Sequence, residues 1–278
     1  VARTDALRTN LLAWEATMRR HRRHRGDEAA RLAAGDDPPD LTAVDGALAR
    51  ATRDFADRDV LHLLCNHGDV SVALARRARS VLGVDFSAEA VAEARDLARA
   101  TRSGARFVRA EAMRFLARTT RRFDAAVAAW GVTCWIPDVR AFARGVARVL
   151  RPGGVFVLVD GHPMANTAFG VGDADDGYFP DPEGRPRRER WTIDYVGAGH
   201  GAPVAIAWWQ WPVGDVVTAL AEAGLVLESL REFPGTHPAF WGSQVEVEVE
   251  GTSAFLSGRG GLLPLSFAVR ARKPRGRR

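Results

Sequence analysis

The chain has 278 residues, 46% of them hydrophobic, enough for one large core or two small ones. Two cysteines, Cys65 and Cys134, without Cys-x-x-Cys or Cys/His spacing, exclude a disulfide framework and a zinc module, so no metal is expected. The formal charge of +5 gathers in "RRHRRHR" (Arg19 to Arg25) and "RKPRGRR" (Arg272 to Arg278). Lys273 is the single lysine, a bias that a GC-rich genome produces, so these runs read as solvated faces and a loose tail rather than a nucleic-acid footprint.

No apolar run reaches the roughly 18 residues that span a bilayer. The charged first residues lack the apolar stretch of a secretory leader. No membrane partner is expected, and a reducing cytoplasm is the expected setting.

The first element, "TDALRTNLLAWEATMRRHRRH", reads as a helix. Thr4 or Asp5 can cap it, and Leu7, Leu11, Trp14 and Met18 recur at helical spacing. "AAGDDPPDLT" then breaks the chain as a loop or linker. Residues 1–45 are accordingly read as a helical cap with its linker, and 46–278 as the main domain.

From Asp59 the rhythm is strand, helix, strand. "DVLHLL", "SVLGVDF", "ARFVRAE", "RFDAAVAAW" and "GVFVLVDGH" read as strands. "VSVALARRA", "SAEAVAEARDLARAT" (capped by Ser87) and the amphipathic "DVRAFARGVARVL" read as helices. After His162 the alternation stops. An insertion over about 163–211 carries the hairpin-like fragments "RWTIDYV" and "AIAWWQW". "VGDVVTALAEAGL" returns to helix with Gly224 near its end. The strands "LVLESLREFP" and "LLPLSFAVRARKP" flank a second insertion, about 235–262, whose middle alternates Val and Glu. The pattern predicts an α/β, Rossmann-like, doubly wound and mostly parallel sheet, with an N-terminal helix and a β-rich lid insertion after strand five.

The turn after the first strand decides the ligand class. A dinucleotide turn needs glycines so that backbone can approach a pyrophosphate. Here Leu64 and Asn66 crowd the turn, and Asp69 opens the following helix with a negative charge. This argues against NAD, FAD and ATP and for a nucleoside-like ligand without phosphate. Asp85 ends the second strand, where a carboxylate can accept from both ribose hydroxyls, and Glu111 ends the third, on the base side of the same crevice.

At these residues the chain resembles the class I S-adenosylmethionine-dependent methyltransferases of the small-molecule branch. The resemblance rests on "VLHLLCNHGDVSVALARR", "VLGVDFS", "FDAAVAAWGVTCWIPD" and "VARVLRPGGVFVLVDGHP", from about Asp59 to His162. It resumes at "VGDVVTALAEAGLVLESLREFP" and "LPLSFAVRARK". It implies a seven-stranded sheet with its last strand antiparallel. It implies S-adenosylmethionine as cofactor and S-adenosylhomocysteine as product. Asp85, followed by Phe86 and Ser87, would bind ribose, and Glu111 with Ala112 would flank adenine. The turn Leu64, Cys65, Asn66 and Gly68 would pack against the methionine portion. The sulfonium is a cation, so the faces of Trp130 or Phe86 can stabilise it. Two departures stand out: His62 replaces the usual acid, and Leu64 and Asn66 replace glycines.

For the acceptor, His162 at the carboxyl end of strand five is the candidate general base, with His67 a weaker one. Aromatic residues gather around the crevice and in the insertion, with Trp14, Trp135, Tyr178, Tyr195 and Trp211 as candidate substrate contacts. At least one of Trp208 and Trp209 is expected to be local core. The reading is methylation of a small organic acceptor, a specialised metabolite, at O, N or C. RNA or DNA methylation and a non-methylating use of the sulfonium are the alternatives, and a homodimer stays open.

Overall fold

The computed structural model describes residues 2–168, 177–191, 202–236, 247–249, 252–254 and 263–276. Three helices come first: α1 (Ala2–Arg22), α2 (Glu28–Ala34) and α3 (Pro39–Ala51). Strand and helix then alternate as the apolar runs demand: β1 (Asp59–Leu63), α4 (Asp69–Leu74), β2 (Ser80–Asp85), α5 (Ala88–Ala100), β3 (Arg106–Arg109), α6 (Ala112–Arg118), β4 (Phe123–Ala129), α7 (Val139–Val149) and β5 (Leu150–Gly161). A short α8 (Pro163–Ala168) leads to the antiparallel pair β6 (Arg187–Trp191) and β7 (Val204–Trp208). Next come α9 (Val213–Glu222), β8 (Val226–Phe233), the small antiparallel pair β9 (Val247–Val249) and β10 (Thr252–Ala254), and β11 (Ser266–Arg272).

Seven strands form one sheet in the order β3-β2-β1-β4-β5-β11-β8. The first five are parallel, and β11, the last strand in the chain, runs antiparallel between β5 and β8. Period-two alternation sends side chains to two cores. Leu61, Leu63, Phe156 and Leu158 pack with Leu116, Phe142 and Leu220 from α6, α7 and α9. Val60, Val81, Val127 and Val157 pack with Leu48, Leu74 and Val91 from α3, α4 and α5. Each such side chain contributes roughly 1.5–3 kcal/mol by leaving water, so the sheet rigidly fixes the loops at its carboxyl edge.

The caps follow local chemistry. Ser87 Oγ accepts from Ala90 N at 3.1 Å and Asp138 Oδ1 from Ala141 N at 2.8 Å, starting α5 and α7. Gly224, at φ 81°, takes the left-handed position after α9.

Three expectations are corrected. The segment "AAGDDPPDLT" is only partly a loop: Pro39 opens α3, where its fixed φ and missing N–H suit a first helical turn. The boundary drawn at residue 45 therefore falls inside α3, whose Leu41, Val44 and Leu48 belong to the main core. Finally, α1 begins at Ala2, ahead of both proposed caps.

Candidate active site

Four turns at the carboxyl edge of the sheet and the N-terminal helix α1 enclose a cavity. Its empty space, open mouth included, is about 710 Å³.

The turn after β1 supplies Leu64 and Asn66 to the wall. Both are left-handed, at φ 51° and 50°, and Gly68 follows at 84°. Leu64 and Asn66 thus adopt the backbone that glycines would provide, at a cost of roughly 1–2 kcal/mol for leucine and less for asparagine. The path of the turn survives the loss of its glycines. Gly68 serves packing: a Cβ there would lie 2.7 Å from the Phe107 ring and 2.8 Å from Ala94. Cys65 is buried, and its Sγ would meet a Cβ on Gly83 at 2.8 Å, so it faces β2 and not the cavity.

Asp85 is held by backbone donors on both carboxylate oxygens. Oδ2 accepts from Asn66 N at 3.0 Å and Oδ1 from Ser87 N at 2.9 Å. Burial pushes its carboxyl up to about 6, opposed by these backbone donors. It therefore ionises just below neutrality with its oxygens fixed in place. Phe86 lines the wall beside it, whereas Ser87 is buried as the cap of α5. Across the cavity, Glu111 and Ala112 line the wall. Both Glu111 oxygens also cap α6, accepting from Met113 N at 2.8 Å and Arg114 N at 2.7 Å. Trp130, at φ 58°, closes the end of β4, its ring N–H donating to Asp40 O at 2.8 Å.

The remaining wall comes from α1 and the turn after β4. Trp14 meets Trp135 edge to face, with centroids 5.8 Å apart at 82°, and both line the cavity. Glu15 anchors α1 by accepting from Ala88 N at 2.6 Å and Glu89 N at 3.2 Å, the first turn of α5. Asp160, buried at the end of β5, accepts from Gly131 N and Thr133 N at 2.7 Å each, and from Thr133 Oγ1 at 2.8 Å. It thereby shapes the turn that carries Trp135.

Residues 60–154, which form this sheet edge, match the family model described as "Methyltransferase domain". Over these residues the chain is similar to that family. Among solved structures it is similar to an S-adenosylmethionine-dependent methyltransferase from Mesorhizobium loti, at 22% identity and TM-score 0.56, covering 85% of this chain and 100% of the other. It is similar to a protein solved in work on conversion of a disulfide bond into a thioacetal group during echinomycin biosynthesis, at 22% identity, TM-score 0.53 and 86% of each chain. It is also similar to the [4+2]-cyclase SpnF, at 16% identity and TM-score 0.54, covering 82% of this chain and 79% of the other. At these identities the likeness is one of fold: the class I methyltransferase sheet. No curated protein sequence matches the chain significantly.

Several expected site residues stand elsewhere. His162 is buried and committed on both ring nitrogens: Nδ1 accepts from Met164 N at 3.0 Å, and Nε2 lies 2.8 Å from Glu232 Oε1. It is not part of the cavity wall, so the geometry does not supply the base expected there. Tyr178 meets Phe179 edge to face, with centroids 5.4 Å apart, and also lies off the wall. Trp211 donates its ring N–H to Ile136 O at 2.7 Å and buttresses the wall from behind. Tyr195 lies outside the described residues. Both Trp208 and Trp209 are buried in small local cores with α1 residues. His62 lies 2.8 Å from Ser71 Oγ, and burial lowers its pKa to about 4, so it is neutral and offers no substitute for the acid it replaces.

Sequence reading expects Asn10, with Trp14, to close the N-terminal helix over the cofactor, and both stand in the wall; it misses the supporting carboxylates Glu15 and Asp160. Asp160 had one signal: a carboxylate ending a strand of the sheet, two positions before His162.

Proposed function

We propose that the chain binds S-adenosylmethionine and transfers its methyl group to a small organic acceptor, a specialised metabolite, at O, N or C. One observation carries the cofactor reading. Among the described residues of the cavity wall, the ionisable side chains are Asp85 and Glu111, both acids. Such a wall suits a cationic ligand with ribose hydroxyls and disfavours phosphates. Asp85 would accept from ribose, Glu111 and Ala112 would flank adenine, and Leu64, Asn66 and the ring of Trp130 would face the methionine and sulfonium side.

The cofactor brings a methyl carbon already activated by positive sulfur. What remains for the chain is to bind, align and dry the reactants. The edge-to-face pair Trp14–Trp135 and the neighbouring Ile136 offer an apolar wall for the acceptor. A cavity roofed by α1 suits a small molecule better than a nucleic-acid strand. The fold likeness to a cyclase keeps a non-methylating reaction as the second reading.

Calorimetry tests the cofactor. S-adenosylmethionine and S-adenosylhomocysteine are expected to bind in the micromolar range, with NAD and ATP far weaker. NAD bound as tightly as S-adenosylhomocysteine would overturn the reading. Mass spectrometry of incubated acceptor panels, read for one added methylene, separates methylation from cyclisation, which leaves the mass unchanged.

A further inference from the structure

Behind the cofactor turn, outside the cavity wall, Glu28 of α2, His67 of the turn and Asp69 of α4 converge. Their ligand atoms all lie within 4.8 Å of one another. His67 Nε2 is 3.0 Å from Glu28 Oε1 and 3.7 Å from Asp69 Oδ2. The side chains of Glu28, His67 and Asp69 are only 17%, 6% and 6% exposed.

We propose that this triad is a binding site for a divalent first-row cation of the Zn²⁺ or Mn²⁺ kind. Ligands bonded at about 2.0–2.2 Å around such an ion stand roughly 3–4 Å apart, as His67 Nε2 does from Glu28 Oε1 and Asp69 Oδ2. One imidazole and two carboxylates select these ions over Mg²⁺ and Ca²⁺, which prefer all-oxygen sets. Water would complete the coordination.

Hydrogen bonding alone satisfies the triad poorly. A proton on His67 Nε2 can serve Glu28 at 3.0 Å, but Asp69 Oδ2 at 3.7 Å is beyond its reach. A cation between the three atoms serves both carboxylates at once. The ion would bolt α2 to the turn in which Asn66, the residue before His67, lines the cavity.

The test uses the full chain, stripped with a chelator and titrated with Co²⁺ by visible absorption. Zn²⁺ is then added in thermal denaturation. One Co²⁺ per chain is expected, with a rise in Tm on adding Zn²⁺. Glu28→Gln and Asp69→Asn should each weaken Co²⁺ binding by about tenfold or more. His21→Ala with His24→Ala, in the nearby basic run, should leave it unchanged. Absence of one-to-one binding at micromolar Co²⁺ would overturn the site. So would binding that survives Glu28→Gln but is lost when His21 and His24 are removed. Should Asp69→Asn not fold, the partly exposed Glu28→Gln and the wild-type stoichiometry still decide.

Discussion

Asn10 and Ala207, 197 positions apart, pair like two peptide groups. Asn10 Nδ2 donates to Ala207 O at 2.6 Å, and Ala207 N donates to Asn10 Oδ1 at 2.8 Å. The asparagine amide thus docks α1 on β7 as an added strand residue would. Asn10 and Ala207 are both buried, so losing the amide strands two backbone groups away from water. Asn10→Ala should destabilise the fold by roughly 2–4 kcal/mol. It should also weaken S-adenosylhomocysteine binding, because Leu7 and Trp14 of the same helix line the cavity. Urea denaturation and calorimetry check both. Loss of stability with unchanged affinity would show that α1 is not part of the binding wall.

The elevated pKa of Asp85 predicts a pH-dependent affinity. The ribose hydroxyls donate to its charged form, so binding favours ionised Asp85 and expels a proton wherever the free protein still holds one. With the free carboxyl at about 6, affinity should be flat above neutrality. It should fall as pH drops below 6, towards a tenfold loss per unit. Calorimetry from pH 5 to 7.5 would show it. Asp85→Ala should lose roughly 2–4 kcal/mol of affinity through two charge-assisted hydrogen bonds and abolish the slope. A slope that persists in the variant would assign it to another group.

The sheet was legible in the sequence because each strand is an apolar run bounded by a turn. Of the candidate site, the place of Asp85 at the end of β2 and on the cavity wall was legible; its role towards ribose is the proposal above. α2 escaped notice because "EAARLAA" offers a single buried apolar side chain, Leu32, to any periodicity. Distance in the chain hid the rest. Nothing local to Asn10 reveals Ala207, and nothing local to His67 reveals Glu28, 39 residues earlier. A search for metal spacings within short windows therefore finds none, while folding brings two carboxylates to one imidazole.

Within the cofactor turn, Asn66 and Gly68 share a left-handed backbone, and their surroundings separate three substitutions. Asn66 sits at φ 50°, a region asparagine tolerates, so Asn66→Gly should change stability by less than about 1 kcal/mol. Asn66→Ala should cost roughly 1–2 kcal/mol, since a plain Cβ gains no local hydrogen bond there. Gly68 is strained for any side chain at φ 84° and also blocked by Phe107 and Ala94. Gly68→Ala should therefore be the most harmful of the three, costing roughly 2–4 kcal/mol or preventing folding. Denaturation midpoints of the three variants set the order. A harmless Gly68→Ala would mean that the turn backbone differs from the one described.

His162 is a structural clasp in this geometry, and its kinetics should say so. Met164 N donates to Nδ1 at 3.0 Å, which makes that nitrogen an acceptor and places the ring proton on Nε2, facing Glu232 at 2.8 Å. The ring also stands edge-on to Phe267, with centroids 6.0 Å apart. No lone pair is left to take a proton from an acceptor. A true base would cost 10²–10⁴-fold in turnover when removed, about the range known for general-base loss. His162→Gln should instead change turnover only a few-fold and lower stability by roughly 1–2 kcal/mol. The pH dependence adds an independent reading. Burial depresses the pKa of His162 against the pull of Glu232. Below the unfolded value of about 6.5 the unfolded chain binds the extra proton first. Wild-type stability should therefore fall on acidification from about 6.5 towards the folded pKa, and His162→Gln should lose that part of the slope. A variant with intact stability and turnover reduced a hundredfold or more would restore His162 as the base.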